Sequence, residues 1–277
     1  MLATACAACT TTAPVNDREA RLHGNAVVML GELHDNAEQH RLRLATLQRA
    51  FAAGWRPVIA MEQFDLEHQA DIERTRREKP GDVRHLIDVA TPPSTRPGSG
   101  WNWDFYRPVV ALALQYDLLL IAANLSNADT TKIVRGGYAA VFDEASIARL
   151  GLDRPIAPNW QAAQEREIDA GHCNMLPPAS WPRMARAQFA RDAVMAEVLR
   201  ENAANGVVLL AGNGHVRRDI GVPRWMGAAW QPRIFTVGFL EQGHDSATAP
   251  LFDAVVVTAP AERPDPCAAF KPRDARP

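Results

Sequence analysis

Short apolar runs alternate with segments of helical periodicity along most of this chain. Runs rich in Val, Ile, Leu and Ala predict strands that are buried on both faces of a sheet. These runs cover residues 26–30, 57–61, 118–122, 207–211 and 234–239, and a sixth strand is predicted at 252–257 on an edge. The intervening segments predict helices at 36–53, 64–78, 83–90, 101–116, 126–135 and 179–202. We therefore expect an α/β fold with a largely parallel central sheet, helices on both faces and extra helices that form a lid.

The length of 277 residues favours a single folded domain. We place this domain at residues 23–258, after a leader over 1–22 and before a proline-rich tail over 259–277 that we expect to be loose. A formal net charge of −2 gives no electrostatic basis for binding nucleic acid. No apolar run approaches the roughly 18 residues that a membrane-spanning helix needs.

The leader contains two cysteines preceded by small, uncharged residues and followed by a Thr/Pro stretch. This pattern resembles a bacterial lipoprotein cleavage site, in which Cys9 or Cys6 would carry the lipid. We then expect the domain to face the periplasm and to contact the envelope membrane only through this N-terminal anchor. An unstructured leader of a cytosolic protein is the alternative. Cys173 and Cys267 can form a disulfide in an oxidising compartment, which their spacing does not decide.

Polar side chains follow four of the predicted strands. Two matched Gly-x-x-His turns, at 31–34 and 212–215, follow the first and fourth strands, while Glu62 follows the second and Asn124 the third. Glycine allows the chain to turn sharply as it leaves the sheet. Since parallel strands carry their carboxyl ends at one edge, these side chains should meet at one rim. The predicted rim residues are Glu32, His34, Glu62, Asn124 and His215.

Two chemistries suit this rim. His34 and His215 with Glu32 and Glu62 make a ligand set for a divalent transition metal. The same side chains could act in general acid–base catalysis. The structural alternatives are a buried histidine bonded to a backbone carbonyl and a Glu62 that only caps a helix.

Three further features are candidates for ligand contact. His172, in a Gly-His-Cys segment, is either a ligand brought to the rim by a loop or a polar cap before the long helix. The aromatic cluster of Trp101, Trp103 and Tyr106 is either core packing or a wall for a flat apolar ligand. Arg217 could hold a carboxylate or could serve only to solvate the surface.

The segments that carry these residues resemble the ChaN-like haem-binding family, within the wider superfamily of Tiki, TraB and erythromycin-esterase-like proteins. The matching segments are 31–36, 61–63, 123–126, 171–173 and 211–217, within a resemblance that spans about residues 24–240. The resemblance implies a haem-binding lipoprotein, dimeric and involved in bacterial haem or iron uptake, with a tyrosine bound to iron and a histidine near a propionate. Here it points to Tyr106 or Tyr138 as the iron ligand. Asn124, His172 and Arg217 would be further haem contacts.

The wider superfamily implies metal-dependent hydrolysis instead. In that alternative, His34 and His215 bind a metal, and Glu32 or Glu62 activates water to cleave an ester or amide. Our leading hypothesis is the haem- or iron-binding uptake lipoprotein, and the metal-dependent hydrolase is its rival. A chain that has lost both activities and binds a partner protein is a third interpretation.

Overall fold

The computed structural model describes residues 21–91, 100–243, 249–265 and 267–268. Its centre is a six-stranded sheet in the order β3-β2-β4-β1-β5-β6, with every neighbouring pair parallel. The strands are β1 (Val27–Leu30), β2 (Val58–Asp65), β3 (Leu120–Asn124), β4 (Val207–Leu210), β5 (Ile234–Glu241) and β6 (Ala254–Thr258). The predicted α/β class with a parallel sheet is confirmed, and β6 lies at an edge as expected.

The position of β4 explains how the rim is assembled. The chain runs outward from β1 to β2 and β3, and β4 later returns between β1 and β2. Leu210, at the end of β4, pairs in register with Leu30 of β1 and with Met61 of β2. Three adjacent strands therefore deliver the residues that follow these positions to one level of the same edge.

Helices cover both faces of the sheet. They are α1 (Ala37–Ala52), α2 (Gln69–Glu78), α3 (Val83–Ala90), α4 (Trp103–Gln115), α5 (Asn127–Gly136), α6 (Glu144–Leu150), α7 (Pro158–Gly171), α8 (Trp181–Asn202), α9 (Asn213–Val216) and α10 (Val222–Met226). On one face, α1 and α4 pack Phe51 and Val110 into the larger core. On the other face, α8 and α10 bury Met195 and Met226 against β1 and β4.

Two parts of the element prediction were wrong. The predicted helix over 64–78 begins only at Gln69, because β2 continues to Asp65 and Phe64 is buried in the core. The register between β2 and β3 shifts between Met61 and Asp65. The polar Glu62 and Gln63 end the apolar run, so the sequence pattern does not show that the strand continues. Helices α6 and α7 were not predicted at all. The buried position of α7 is Gln164, so this helix lacks an aliphatic stripe.

The tail beyond β6 also differs from the expected loose segment. Arg263 pairs with the buried Glu241 and, through Nε, with Asp35 Oδ2 at 2.7 Å. Cys267 forms a disulfide with Cys173. The sequence hides these contacts because the partners lie far away along the chain. Residues 269–277 and the leader with Cys6 and Cys9 lie outside the described residues. In the described ranges, no helix has the length and apolar character to cross a bilayer.

Candidate functional site

The two Gly-x-x-His turns lie side by side and interlock. The Asn213 N–H donates to the Glu32 carbonyl at 3.0 Å. A Cβ on Gly31 would lie 2.2 Å from Asn213 Oδ1, and a Cβ on Gly212 would lie 2.9 Å from His34 Cε1. Each glycine therefore makes room for a side chain of the other turn. Neither glycine has a positive φ, so close approach of the two turns, rather than a sharp bend, is the reason for glycine at these positions.

The first turn is built on a buried carboxylate. Glu32 is fully buried, and its Oε1 accepts a hydrogen bond from the Tyr106 hydroxyl at 2.6 Å and lies 2.8 Å from His34 Nδ1. Arg43 forms an ion pair with Oε2, and His40 Nδ1 lies 3.4 Å from the same oxygen. Burial opposes ionisation of Glu32, but Arg43 and the two histidines outweigh it and hold the pKa of the carboxyl below its ordinary value.

His34 is the accessible imidazole of the rim. Its side chain is 49% exposed, and the Trp101 ring meets it edge-on with the ring centroids 4.9 Å apart. Burial tends to lower the pKa of His34, but the hydrogen bond to Glu32 and the charge of Glu62 outweigh it and raise the pKa. Because Nδ1 is held by Glu32, Nε2 is the nitrogen that remains for a ligand.

The second turn holds its histidine between two buried carboxylates. His215 Nδ1 lies 2.6 Å from Asp192 Oδ1, and Nε2 lies 3.3 Å from Glu62 Oε1. The Gly212 N–H donates to Glu62 Oε2 at 2.8 Å. Burial opposes the charge of His215, but Glu62 and Asp192 raise its pKa to about 10. Both ring nitrogens of His215 therefore lie beside a carboxylate, and the two negative charges favour the protonated ring.

Sequence reasoning missed two of the charged residues that organise the rim. Asp192 lies on α8 between the buried Phe189 and Met195, and Arg43 lies on the buried side of α1 beside Leu47. Each occupies an apolar position of its helix, which is the signal that could have revealed it. A charged residue at such a position is buried only when it is paired.

Two amides near the ends of β2 and β3 have buried atoms without partners. Asn124 Oδ1 and both amide atoms of Gln63 have no hydrogen-bond partner among the described residues. Leaving a buried polar group unpaired costs about 1–3 kcal/mol. These amides therefore favour a polar ligand group or a water molecule at this end of the sheet.

The two candidate tyrosines have different surroundings, because Tyr106 is buried and Tyr138 is half-buried. Tyr106 is fully buried and donates its hydroxyl to Glu32, and its pKa is raised by burial and by the Glu32 charge. Tyr138 lies in a short 3₁₀ helix and packs against the cluster that includes Ile133 and Leu150. Burial raises the pKa of Tyr138 to about 12. Both phenols are therefore protonated at neutral pH.

The other two polar candidates have partners outside the rim. His172 is exposed at the end of α7, and its Nδ1 lies 2.7 Å from the Ile168 carbonyl oxygen. Arg217 donates to Glu167 at 2.5 Å and to Asp219 at 2.8 Å. The charge of Arg217 is thus already neutralised by two carboxylates.

The side chains predicted as a metal-binding set are neighbours but do not surround one point. Across the described ranges, no three His, Cys, Asp or Glu side chains are arranged to hold a metal ion. Glu32 forms an ion pair with Arg43 and accepts a hydrogen bond from Tyr106. Glu62 accepts a hydrogen bond from Gly212 and forms an ion pair with His215. The rim is therefore two ion-paired networks rather than one ligand cage.

Comparison with known proteins adds a family and a fold. The family described as haem-binding uptake, Tiki superfamily, ChaN matches residues 19–226. The fold is similar to ChaN of Campylobacter jejuni, in a structure described as cofacial heme binding, at 20% identity and a TM-score of 0.69 over 87% of this chain and 90% of that chain. The open conformation of an erythromycin esterase mutant, EreC, is 14% identical at a TM-score of 0.48, over 86% of this chain and 77% of that chain. No curated protein matches the sequence.

Proposed function

Because this chain belongs to the ChaN family of haem-binding uptake proteins in the Tiki superfamily, we propose that it binds haem at the rim formed by the turns after β1 and β4. The observation that carries the proposal is the accessible imidazole of His34, which is backed by the buried carboxylate of Glu32. Both turns lie within the residues that match the family. Titration of the purified protein with ferric haem tests the proposal: a saturable Soret band supports it, and unbound haem throughout contradicts it.

The residues around His34 fit haem. A histidine that binds iron commonly donates its other N–H to a carboxylate, which sets the orientation of the ring. Glu32 is in the position to do this, and Arg43 and Tyr106 hold Glu32 in place before any ligand arrives. The half-buried Trp101 offers an apolar surface beside the same imidazole. Bound haem supplies an iron that takes an axial ligand from the protein.

We propose a histidine, His34, where the family resemblance implies a tyrosine ligand. The Tyr106 hydroxyl donates to Glu32, so this side chain orients the carboxylate that holds His34 rather than meeting a ligand. His215 is buried, with Nδ1 hydrogen-bonded to Asp192 and Nε2 close to Glu62, which leaves His34 as the accessible imidazole of the rim.

The cellular location proposed for this protein is the bacterial envelope, where uptake takes place. The Cys173–Cys267 disulfide supports it, because disulfides persist in oxidising compartments. Lipid attachment at Cys9 or Cys6 remains a prediction. Labelling with a fatty-acid analogue in a bacterial host tests it, and Cys9→Ser and Cys6→Ser show which cysteine carries the label. Equal labelling of the double variant would contradict lipid attachment at either position.

A homodimer is part of the same proposal. His34 is half exposed in the single chain, so a second copy could cover a haem bound there. Light scattering on the purified protein with and without haem measures the mass directly. A doubled mass in the presence of haem supports the dimer, and an unchanged single-chain mass contradicts it.

A hydrolase is the second candidate, and the Glu32–His34 pair is the observation that favours it. A histidine held by a carboxylate can act as a general base toward water. In this arrangement the carboxylates are ion-paired, so the geometry favours acid–base chemistry by His34 on an ester or amide. Release of nitrophenol from a nitrophenyl ester, compared between the wild type and His34→Ala, tests it. Equal rates for the two proteins would remove this candidate.

A further inference from the structure

The segment after β6 turns back along the carboxyl edge of the sheet. We call residues 259–265 together with Cys267 the C-terminal strap. The Ala259 carbonyl accepts a hydrogen bond from Asn36 Nδ2 at 3.1 Å, and the Ala261 N–H donates to Glu241 Oε1 at 2.8 Å. The strap thus begins beside Asn36, which caps α1 just after the first Gly-x-x-His turn.

A buried carboxylate anchors the near end of the strap. Glu241 is 2% exposed at the end of β5 and accepts hydrogen bonds from Asn36 Nδ2 at 2.6 Å and from Arg263 Nη1 at 3.1 Å. Burial opposes its ionisation, but Ala261, Asn36 and Arg263 outweigh it and lower the pKa of this carboxyl. The anchor is therefore ionised and fully engaged at neutral pH.

The strap runs next to the accessible histidine. Arg263 Nε lies 2.7 Å from Asp35 Oδ2, and Asp35 directly follows His34 in the chain. This ion pair fixes the middle of the strap on the flank of the first turn. The contact is part-exposed, with both side chains at the surface rather than in the core.

The far end of the strap is fixed to the loop that follows α7. Cys267 is bonded to Cys173, which lies just beyond the end of α7. Helix α7 in turn contacts the segment after the second turn, because its Glu167 pairs with Arg217 immediately after α9. Four residues of chain span at most about 14 Å, so the Arg263 and Cys267 anchors lie close together.

The loop at this far anchor has an unfavourable backbone. Cys173 and Asn174 have φ values of 63° and 56°, in the left-handed region that non-glycine residues seldom adopt. The His172 and Cys173 N–H groups and the Asn174 N–H all bond back to the last turn of α7. The loop is thus held in the conformation that receives the strap.

We propose that the C-terminal strap covers one side of the opening through which a ligand reaches His34, and that it retains the bound ligand. The Cys173–Cys267 disulfide holds the strap in this position. The identity of the ligand rests on the proposed haem function, whereas the closure over His34 does not. Opening the lock requires a dithiol reductant, which gives two electrons and two protons to the cysteine sulfurs and leaves as its own disulfide.

Loss of haem from the full chain measures retention. Ferric haem is bound to the oxidised protein and to Cys267→Ser, and its transfer to an excess of a haem-scavenging apoprotein is followed by absorbance. We expect release from Cys267→Ser, and from wild type treated with a dithiol, to be about tenfold faster, since retention is expressed mainly in the dissociation rate. Equal release from the oxidised and unlocked forms would overturn the proposal.

Chemical modification of His34 provides a readout without haem. Diethyl pyrocarbonate modifies accessible imidazoles, and mass spectrometry compares His34 with His85 on α3 in the same molecule. We expect His34 to react several-fold faster in Cys267→Ser, with His85 unchanged. If modification of His34 is faster in Cys267→Ser but no form binds haem, the proposed strap is supported and the proposed function is contradicted. If haem binds but neither haem release nor His34 modification changes in Cys267→Ser, the proposed strap is contradicted.

Two further variants separate unlocking from misfolding. Glu241→Gln keeps both cysteines but weakens the near anchor, so it should also speed haem release and His34 modification. Arg84→Ala removes an exposed pair with Asp88 on α3 and should change neither. Thermal unfolding of each variant identifies the folded ones. Wild-type behaviour of folded Glu241→Gln in both readouts would contradict the role of the strap.

Discussion

At the scale of single residues, the two rim histidines are given opposite roles by their carboxylate partners. Glu32 holds one nitrogen of His34 and leaves the ring half exposed. Asp192 and Glu62 hold both nitrogens of His215 and keep it charged and buried. A motif search treats the two histidines as equivalent, because the side chains that distinguish them come from other elements.

Asp192→Asn tests the origin of the His215 charge. A histidine whose folded pKa of about 10 exceeds its unfolded value of 6.5 stabilises the fold fully below pH 6.5, and this stability is lost as pH rises toward 10. The pKa of Asp192 is raised to about 6, so Asp192 is already ionised over most of the range between pH 6.5 and 10. We expect urea unfolding between pH 7 and about 9.5 to show a steep loss of stability in the wild type and a shallower loss in Asp192→Asn.

A control variant and an NMR measurement complete the test of the His215 charge. Asp219→Asn alters an acid that pairs with Arg217 away from the imidazole, so its stability should follow pH as the wild type does. The pKa of His215 measured by NMR should fall in Asp192→Asn alone. Parallel pH profiles for the wild type and Asp192→Asn would show that Asp192 does not sustain the charge.

Arg43→Met tests the buried Glu32 ion pair. The substitution leaves the Glu32 carboxylate buried without its cation, and breaking such a pair costs about 3–5 kcal/mol. Denaturant unfolding should therefore show a large loss of stability in Arg43→Met. The double variant Glu32→Gln/Arg43→Met removes both charges and should recover part of the loss. A single variant as stable as the wild type would contradict the pairing.

At the scale of elements, the sequence was enough to locate the strands and their carboxyl ends but not the neighbours of each turn. Apolar runs predicted all six strands within a few residues, because strands buried on both faces are continuous apolar segments. The return of β4 between β1 and β2 depends on long-range pairing, which periodicity does not carry. The interlock of Gly31 with Asn213 was likewise not predicted, since each glycine was interpreted as serving only the bend of its own turn.

Alanine at the interlocked glycines tests the contact between the turns. Gly212→Ala should displace the His34 ring and weaken haem binding, because the new Cβ would lie 2.9 Å from the ring. Gly31→Ala should lower the melting temperature, since it forces Asn213 away from its bonds to Phe239. Gly214→Ala meets no atom within 4 Å and is the matched control. Equal haem affinity and melting temperature in all three variants would refute the interlock.

At the scale of the whole molecule, the parallel sheet determines where the site lies, and the helices and the tail determine what surrounds it. The rim of Glu32, His34, Glu62 and His215 followed from the sequence because the ends of parallel strands share an edge. The ion pairs of the rim did not follow from the sequence, because Arg43 and Asp192 lie on helices and reach the rim only through long-range packing. The strap was missed for a related reason: a proline-rich, polar composition suggests a loose tail, and only distant partners hold it.

Binding of haem through His34 is tested by one titration. Ferric haem is added to the wild type, to His34→Ala and to His85→Ala, and the Soret band and its magnetic circular dichroism are recorded for each. We expect saturable binding with a histidine-ligand signature in the wild type and His85→Ala, and loss of that signature with at least about tenfold weaker binding in His34→Ala. An unchanged spectrum and affinity in folded His34→Ala would contradict it.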